Sequence, residues 1–230
     1  MITGDLYQYA QENWSQYRAS VTELSKNNKQ KALVESDTEL FNFDEICRAL
    51  FPQDGLPASV DAIAFTEKEV TLIEFKTGFH RKTTKRSFPL EKCRCPEDNG
   101  KICKVYWELF FKEQKQEVDA LISSVRLKAI ESYLALEKKI LPKCPPADQA
   151  MPIRYIVVID EEAVDSMEDT LAVLSGQEAQ DNHFSEIRRA LKRLNHQSDA
   201  NGNGYYYNNI TVLSAQDFSI LLRQATFSLP

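Results

Sequence analysis

The chain has 230 residues, 43% of them hydrophobic and 27% charged, a composition typical of a globular protein with a sizeable core. Its formal net charge of −6 argues against indiscriminate binding of nucleic acid over the whole surface, although a local basic lane remains compatible with it. The sequence lacks both a run of ~20 apolar residues and the basic and apolar segments of a signal peptide. We therefore expect a cytoplasmic protein without membrane association, folded as one domain over residues 1–230.

The N-terminal quarter predicts helices joined by polar segments. Apolar residues recur at three- and four-residue steps over residues 1–28, which predicts an amphipathic helix. The polar segment Asn27–Lys31 is predicted to be a loop, and Glu35–Phe43 is ambiguous between helix and strand. A short helix is then expected to begin near Asp44 and to end before Pro52.

Two apolar runs in the next segment predict a β-hairpin. The runs Val60–Phe65 and Val70–Phe75 are rich in β-branched and aromatic residues, and four polar residues separate them. A two-residue loop at 67–68 fixes the register of the two strands. Counting outward from that loop places Asp61 directly opposite Glu74, on the same face of the strand pair.

A carboxylate pair of this kind needs compensation. Like charges facing each other across two strands are destabilising, and a divalent cation held by both side chains is the simplest remedy. Lys76 lies two residues beyond Glu74 and therefore points to the same face. The alternative interpretation is an exposed ion pair on a surface hairpin, worth about 0–1 kcal/mol.

Together Asp61, Glu74 and Lys76 form the pattern D-x(12)-E-F-K. This pattern resembles the active-site signature of the PD-(D/E)XK nuclease superfamily, which has the restriction-endonuclease-like fold. The resemblance implies that Asp61, Glu74 and the backbone carbonyl of Phe75 hold Mg²⁺ or Mn²⁺, and that Lys76 positions the attacking water. It is local, covering residues 59–78.

The resemblance also implies an upstream glutamate on the first core helix, for which Glu39 and Glu45 are both candidates. Two departures from the family pattern are visible. Val60 stands where the family often has proline, and the Gln-x-x-x-Tyr element of RecB-like members does not follow Lys76.

The segment after the hairpin is basic, and residues 77–104 are predicted to be an insertion or a loop. A cluster of cations beside a metal site suits contacts to a phosphate backbone. A solvated loop is the equally weighted alternative. The candidate nucleic-acid-binding residues are Arg81, Lys82, Lys85 and Arg86.

Five cysteines, an odd number, argue against a disulfide framework. Cys93, Cys95 and Cys103, completed by Cys144 or His80, are candidates for a tetrahedral Zn²⁺ site. The spacing lacks paired C-x₂-C elements, however, so free cysteines within an insertion are the favoured interpretation.

The C-terminal half predicts an alternation of helices and strands. A long helix is expected over Val105–Ile140, with Arg126 and Lys128 as candidates to face the cleft, followed by a break at Leu141–Pro152. The continuous apolar run Ile153–Asp160 predicts a central buried strand.

The last elements predicted are a helix, a strand and a second helix. Phe184, Ile187 and Leu191 share one face of the first helix, and Tyr205–Leu213 predicts the strand. Within that strand, three consecutive tyrosines at 205–207 suit either base stacking or strand packing, and strand packing is favoured. Ser214 and Asp217 have the spacing of a capping box that opens the final helix.

This order of elements predicts an α/β fold with a mixed central sheet flanked by helices. It agrees with a restriction-endonuclease-like core that carries N- and C-terminal helical additions. The expected function is Mg²⁺-dependent hydrolysis of phosphodiester bonds, with DNA favoured over RNA. The alternative is a non-catalytic module on the same fold that binds nucleic acid or a protein partner.

Overall fold

Eight strands are defined in a computed structural model that describes residues 2–66, 69–79, 104–160, 183–195 and 206–224. They are β1 (Ile2–Gly4), β2 (Arg18–Ser20), β3 (Glu39–Asn42), β4 (Ala62–Phe65), β5 (Val70–Lys76), β6 (Pro146–Met151), β7 (Ile153–Ile159) and β8 (Asn209–Ser214). Six of them form one sheet in the order β2-β3-β4-β5-β7-β8. The pairs from β2 to β5 are antiparallel, whereas β5, β7 and β8 run parallel.

Helices pack on both faces of this sheet. In the described ranges they are α1 (Leu6–Asn13), α2 (Val21–Leu24), α3 (Phe43–Leu50), α4 (Lys104–Ala135), α5 (His183–Leu191) and α6 (Ala215–Gln224). The long helix α4 continues into a π-helical turn, Leu136–Ile140. The predicted α/β class, with a mixed sheet flanked by helices, is confirmed.

The central strands are buried on both sides. Successive residues of a strand point to opposite faces, so Val157 packs with Val125 of α4 on one face. On the other face Val158 packs in a second cluster with Phe218 of α6. Burial on both faces explains why the run Ile153–Asp160 is continuously apolar, and its prediction as a central strand is confirmed.

Two buried tyrosines fix α4 on the sheet. The hydroxyl of Tyr155 donates to the carbonyl of Val125 at 3.2 Å, and that of Tyr207 donates to the carbonyl of Ala129 at 2.6 Å. The two rings stack on each other with centroids 5.1 Å apart. Tyr207 therefore has the packing role that the sequence favoured, and its buried ring is not available to stack on a base.

The helix predicted over residues 1–28 is wrong, because this segment forms β1, α1, a 3₁₀ turn, β2 and α2. Helix α1 begins after Asp5, whose carboxylate accepts the N–H of Gln8 at 2.8 Å. Leu6 and Ala10 of α1 pack on one face of the sheet, whereas Val21 packs on the other. Apolar residues that are spaced as in one helix therefore belong to separate elements.

Further differences concern the strands. The segment Glu35–Phe43, ambiguous in the sequence, contains β3, which pairs antiparallel with β4. The predicted break at Leu141–Pro152 contains β6, which pairs with β1. The last strand begins at Asn209 rather than at Tyr205. Ser214 caps the final helix, since its hydroxyl accepts the Asp217 N–H at 3.0 Å and donates to Asp217 Oδ2 at 2.8 Å.

Candidate active site

A cleft of about 830 Å³ opens at one edge of the sheet. Its lining includes Lys76 at the end of β5, Asp160 directly after β7 and Ser214 at the end of β8. A loop at residues 26–33 forms part of the same lining. Ligands of open α/β sheets bind outside the carboxyl ends of the parallel strands, so the cleft has the location expected of a functional site.

The hairpin has the predicted register. Ile63 of β4 pairs with Leu72 of β5, and the same register carried outward brings Asp61 opposite Glu74. Asp61 is fixed there because its Oδ2 accepts the backbone N–H of Phe75 at 2.7 Å. The prediction that the two carboxylates share one face is confirmed.

Both carboxylates converge on the ammonium group of Lys128. Its Nζ lies 3.1 Å from Asp61 Oδ1 and 2.8 Å from Glu74 Oε2. Lys128 projects from α4, so the helix that covers the sheet supplies a cation to the pair. Of the two basic residues predicted to face the cleft, Lys128 does so, whereas Arg126 is exposed and lies outside the cleft lining.

Glu74 is the most constrained group of the site. Its side chain is 0% exposed, and its Oε1 has no hydrogen-bond partner among the residues that the structure describes. Burial and the nearby charge of Asp61 raise the pKa of Glu74 to about 8, while Lys128 and Lys76 act to lower it. A further positive charge beside this carboxyl would favour its ionised form.

Lys128 stays charged in this setting. Burial acts to lower the pKa of Lys128, but the charges and hydrogen bonds of Glu74 and Asp61 outweigh it and raise that pKa above 10.5. The ammonium of Lys128 is therefore charged where it contacts the two carboxyl groups.

Lys76 lines the same cleft as the two carboxylates. Its Nζ donates to the hydroxyl of Ser124 on α4 at 2.9 Å, and its charge acts on Glu74. The structure thus brings together Asp61, Glu74 and Lys76. Phe75 also lines the cleft, and its ring packs against Phe218 on the other sheet face, with centroids 5.5 Å apart.

The structure does not bring either candidate upstream glutamate to the carboxylate pair. Glu39 is exposed at the beginning of β3, opposite Ser20 of β2. Glu45 is exposed in the first turn of α3. Neither side chain belongs to the lining of the cleft.

The predicted basic residues Arg81, Lys82, Lys85 and Arg86 lie outside the described residues, as do His80, Cys93, Cys95 and Cys103. Cys144 is half-buried, and its thiol donates to the carbonyl of Ile140 at 3.4 Å. Burial and the charge of Asp5 raise the pKa of Cys144 to about 11, which disfavours the thiolate that binds zinc. Within the described ranges, no three or more His, Cys, Asp or Glu side chains gather as a metal site.

Asp160 is a site residue to which the sequence assigned no role. Its two carboxylate oxygens accept the backbone N–H groups of Gly78, at 2.7 Å, and Phe79, at 2.9 Å. Gly78 has a φ of 110°, a left-handed conformation that favours glycine. Asp160 therefore holds the turn that follows Lys76. In the sequence, the signal for this role was the position of Asp160 directly after an apolar strand.

The sheet order and the helices on both faces define an α/β protein. The chain matches no protein-family model, no curated protein and no solved structure. None of the helices in the described ranges combines the length and apolar character needed to cross a bilayer. These comparisons therefore assign no chemistry to the cleft, and its own side chains are the guide to that chemistry.

Proposed function

We propose that the protein is a Mg²⁺- or Mn²⁺-dependent nuclease that hydrolyses phosphodiester bonds, with DNA as the favoured substrate. The observation that carries this proposal is the convergence of Asp61 and Glu74 on one cation, in a cleft that also contains Lys76. The elements α1, β3, β4, β5, α4 and β7 follow the order αβββαβ of a restriction-endonuclease-like core, which supports the proposal. In this chain β2 and α2 are inserted between α1 and β3, α3 between β3 and β4, and β6 between α4 and β7.

The side chains present fit a hard divalent cation. Mg²⁺ prefers oxygen ligands and usually retains several waters, so one or two carboxylates are enough to hold it. Asp61 and Glu74 supply these, and the unpartnered Oε1 of Glu74 is a ligand atom still to be satisfied among the described residues. The Phe75 carbonyl is a further candidate. When bound, Mg²⁺ polarises a phosphoryl oxygen and lowers the pKa of a coordinated water.

Lys128 competes with the divalent ion for the same carboxylate oxygens. Its ammonium is a compact charge on a flexible stem, so it can leave the pair without movement of α4. Released from the pair, its ammonium would still lie in the cleft, where a phosphate group of the substrate would bind. There its charge stabilises the negative charge that develops on the phosphoryl group.

Lys76, the second lysine of the cleft, has a different role from Lys128. Ser124 accepts its N–H at 2.9 Å and thereby fixes the direction of the side chain. The remaining N–H groups of the ammonium are donors for the attacking water and for the phosphoryl oxygens. Lys76 therefore orients the nucleophile, and Ser124 acts through Lys76 as a positioning residue.

One observation favours a second candidate function. Lys128 already bridges the two carboxylates, and Lys76 adds a second positive charge nearby. The two lysines partly compensate the charge of the two acids without a divalent ion. Such a cluster suits a non-catalytic module that binds nucleic acid or a protein partner.

We also propose a cytoplasmic location. The chain has five cysteines, an odd number, and Cys47 and Cys144 are free thiols. Reducing compartments keep thiols in this state.

A cleavage screen separates the two functions. Linear, circular and single-stranded DNA, and RNA, are incubated with the protein in Mg²⁺, Mn²⁺ or EDTA, beside Lys76→Ala and the control Lys138→Ala. Lys138 is 68% exposed and lies outside the cleft lining. We expect metal-dependent cleavage that falls at least ~10²-fold in Lys76→Ala and is unchanged in the control. Binding without cleavage in both metals supports the non-catalytic module, and equal cleavage by Lys76→Ala contradicts the assigned site.

A further inference from the structure

A basic loop that is distant in sequence from the two carboxylates forms one wall of the cleft. Residues 26–33 follow α2 and lead towards β3. Lys29 and Lys31 of this loop line the cleft. The same cleft is lined by Asp61 and Glu74. Two exposed cations and two acids therefore line a single concave surface.

The loop is held in one shape by Asn27. The side-chain oxygen of Asn27 accepts the backbone N–H groups of Lys29, at 2.9 Å, and Lys31, at 3.2 Å. Its backbone N–H donates to the Lys31 carbonyl at 3.0 Å. An antiparallel bridge joins Lys26 to Ala32 and closes the base of the turn. The two lysine side chains thus project from a backbone that its own hydrogen bonds fix.

The charge of this loop is not balanced locally. The sequence from 26 to 31 reads KNNKQK, with three lysines and no acid. Lys26 is paired with Glu23 at 2.5 Å. Lys29 and Lys31 are exposed and form no ion pair with any residue in the described ranges. Within the described lining of the cleft, these two ammonium groups are available to an anionic ligand.

We propose that this loop binds the phosphodiester backbone of the nucleic acid and directs it towards the carboxylate pair. Lysine binds phosphate as a point charge, and contacts to phosphate fix the position of a strand without reading its sequence. A long polyanion also suits the geometry, because the lysines lie in a cleft rather than on a convex surface that a lipid bilayer would contact. This inference rests on the proposed function and names the part of the cleft that holds its substrate.

The test compares Lys29→Ala/Lys31→Ala with Lys138→Ala/Lys143→Ala. The control removes the same charge from exposed lysines outside the cleft lining. Binding of a short labelled DNA duplex is measured in EDTA over a range of salt concentrations, so that cleavage does not interfere. Lys29→Arg/Lys31→Arg keeps the charge and serves as the rescue variant.

We expect the loop variant to bind about tenfold more weakly at low salt than the control. The slope of log affinity against log salt should also fall by roughly 1.8, since each phosphate contact contributes roughly 0.9 on B-DNA. The arginine variant should restore both values. An unchanged slope, or equal weakening in the control, would overturn the inference.

Two further arms separate other outcomes. If a mononucleotide displaces the duplex at an equal concentration of phosphate groups, the loop binds free phosphate and the proposal of a backbone contact is wrong. If the loop variant loses binding while the unaltered protein never cleaves, the nuclease proposal fails and the loop inference stands. If the unaltered protein cleaves and the loop variant binds normally, only the loop inference fails.

Discussion

The two walls of the cleft differ in charge, in burial and in the way they are built. The acidic wall, Asp61 and Glu74, stands on paired strands of the sheet, with Glu74 fully buried. The basic wall, Lys29 and Lys31, stands on an exposed loop that closes on its own hydrogen bonds. The core therefore holds the proposed metal ligands, whereas local hydrogen bonds hold the proposed substrate contacts. Substitutions in the two walls should therefore affect different steps.

The largest effect is expected from Asp61→Asn. The amide keeps an oxygen that can accept the Phe75 N–H, so the fold should tolerate the change, but the charge needed to hold a divalent ion is lost. We expect cleavage to fall by ~10³-fold or more, since a bound metal supplies several kcal/mol of charge stabilisation and each 1.36 kcal/mol is tenfold in rate. Single-turnover cleavage measures this loss.

The loop variant Lys29→Ala/Lys31→Ala is the matched comparison for Asp61→Asn. It should retain the single-turnover rate at saturating enzyme while the affinity falls. A rate loss as large as that of Asp61→Asn would show that the two walls do not divide these tasks.

The next effect is expected from Lys128→Met. This change leaves Glu74 without its ammonium partner in a buried position, so the metal-free protein should lose about 1–3 kcal/mol in free energy of unfolding. The same change removes the competitor of the divalent ion. We therefore expect Mn²⁺ to bind more tightly than in the unaltered protein and to raise the melting temperature by a larger amount.

Calorimetric titration and thermal melts measure both quantities for Lys128→Met, with Lys138→Met as the surface control. Weaker Mn²⁺ binding would mean that Lys128 supports the ion rather than competing with it.

A smaller effect is expected on the pH dependence of folding stability. Burial raises the pKa of Glu74 from its ordinary value of 4.5 to about 8, so the folded protein holds this proton more tightly than the unfolded chain. The contribution of Glu74 to stability is then fully present below pH 4.5 and is lost as pH rises through about 8. Glu74→Gln removes this dependence.

Urea unfolding in EDTA at a series of pH values checks the sign. The stability of the unaltered protein relative to Glu74→Gln should decline between about pH 5 and pH 8. Exposed Glu12→Gln should follow the unaltered protein. A rise over this interval would contradict the assigned direction of the shift.

The smallest effect is expected from Ser124→Ala. Lys76 loses the hydroxyl that accepts its N–H at 2.9 Å, so its ammonium is less well oriented but still present. We expect kcat to fall by about 3–10-fold with little change in KM, in line with the loss of one hydrogen bond of roughly 0.5–1.5 kcal/mol. Ser123→Ala, at an exposed neighbouring position, should leave kcat unchanged. Equal rates for the two variants would remove the positioning role of Ser124.

The acidic wall was predictable from sequence because its causes are local. A tight turn and the alternation of side chains fix the register of β4 on β5, and the register brings Asp61 opposite Glu74. Lys128 was one of two candidates on its helix, since sequence spacing does not fix how a helix is rotated over a sheet. Tyr155 and Tyr207 decide that rotation through contacts far along the chain.

The basic wall was not predictable as part of the site. Asn27–Lys31 was correctly expected to be a loop, but its place beside the carboxylates depends on how β2 and β3 join the sheet. That topology was hidden because the apolar spacing of residues 1–28 matches one helix. The physical reason is that Val21 and Leu6 are buried on opposite faces of the same sheet, which no single helix can achieve.

The proposed function depends on Asp61 and Glu74 together holding a divalent ion. Mn²⁺ binding followed by electron paramagnetic resonance tests it directly on the unaltered protein, Asp61→Asn and Glu74→Gln. We expect a bound ion in the unaltered protein and its loss in both variants. Binding that is absent from the unaltered protein, or undiminished in both variants, would contradict it.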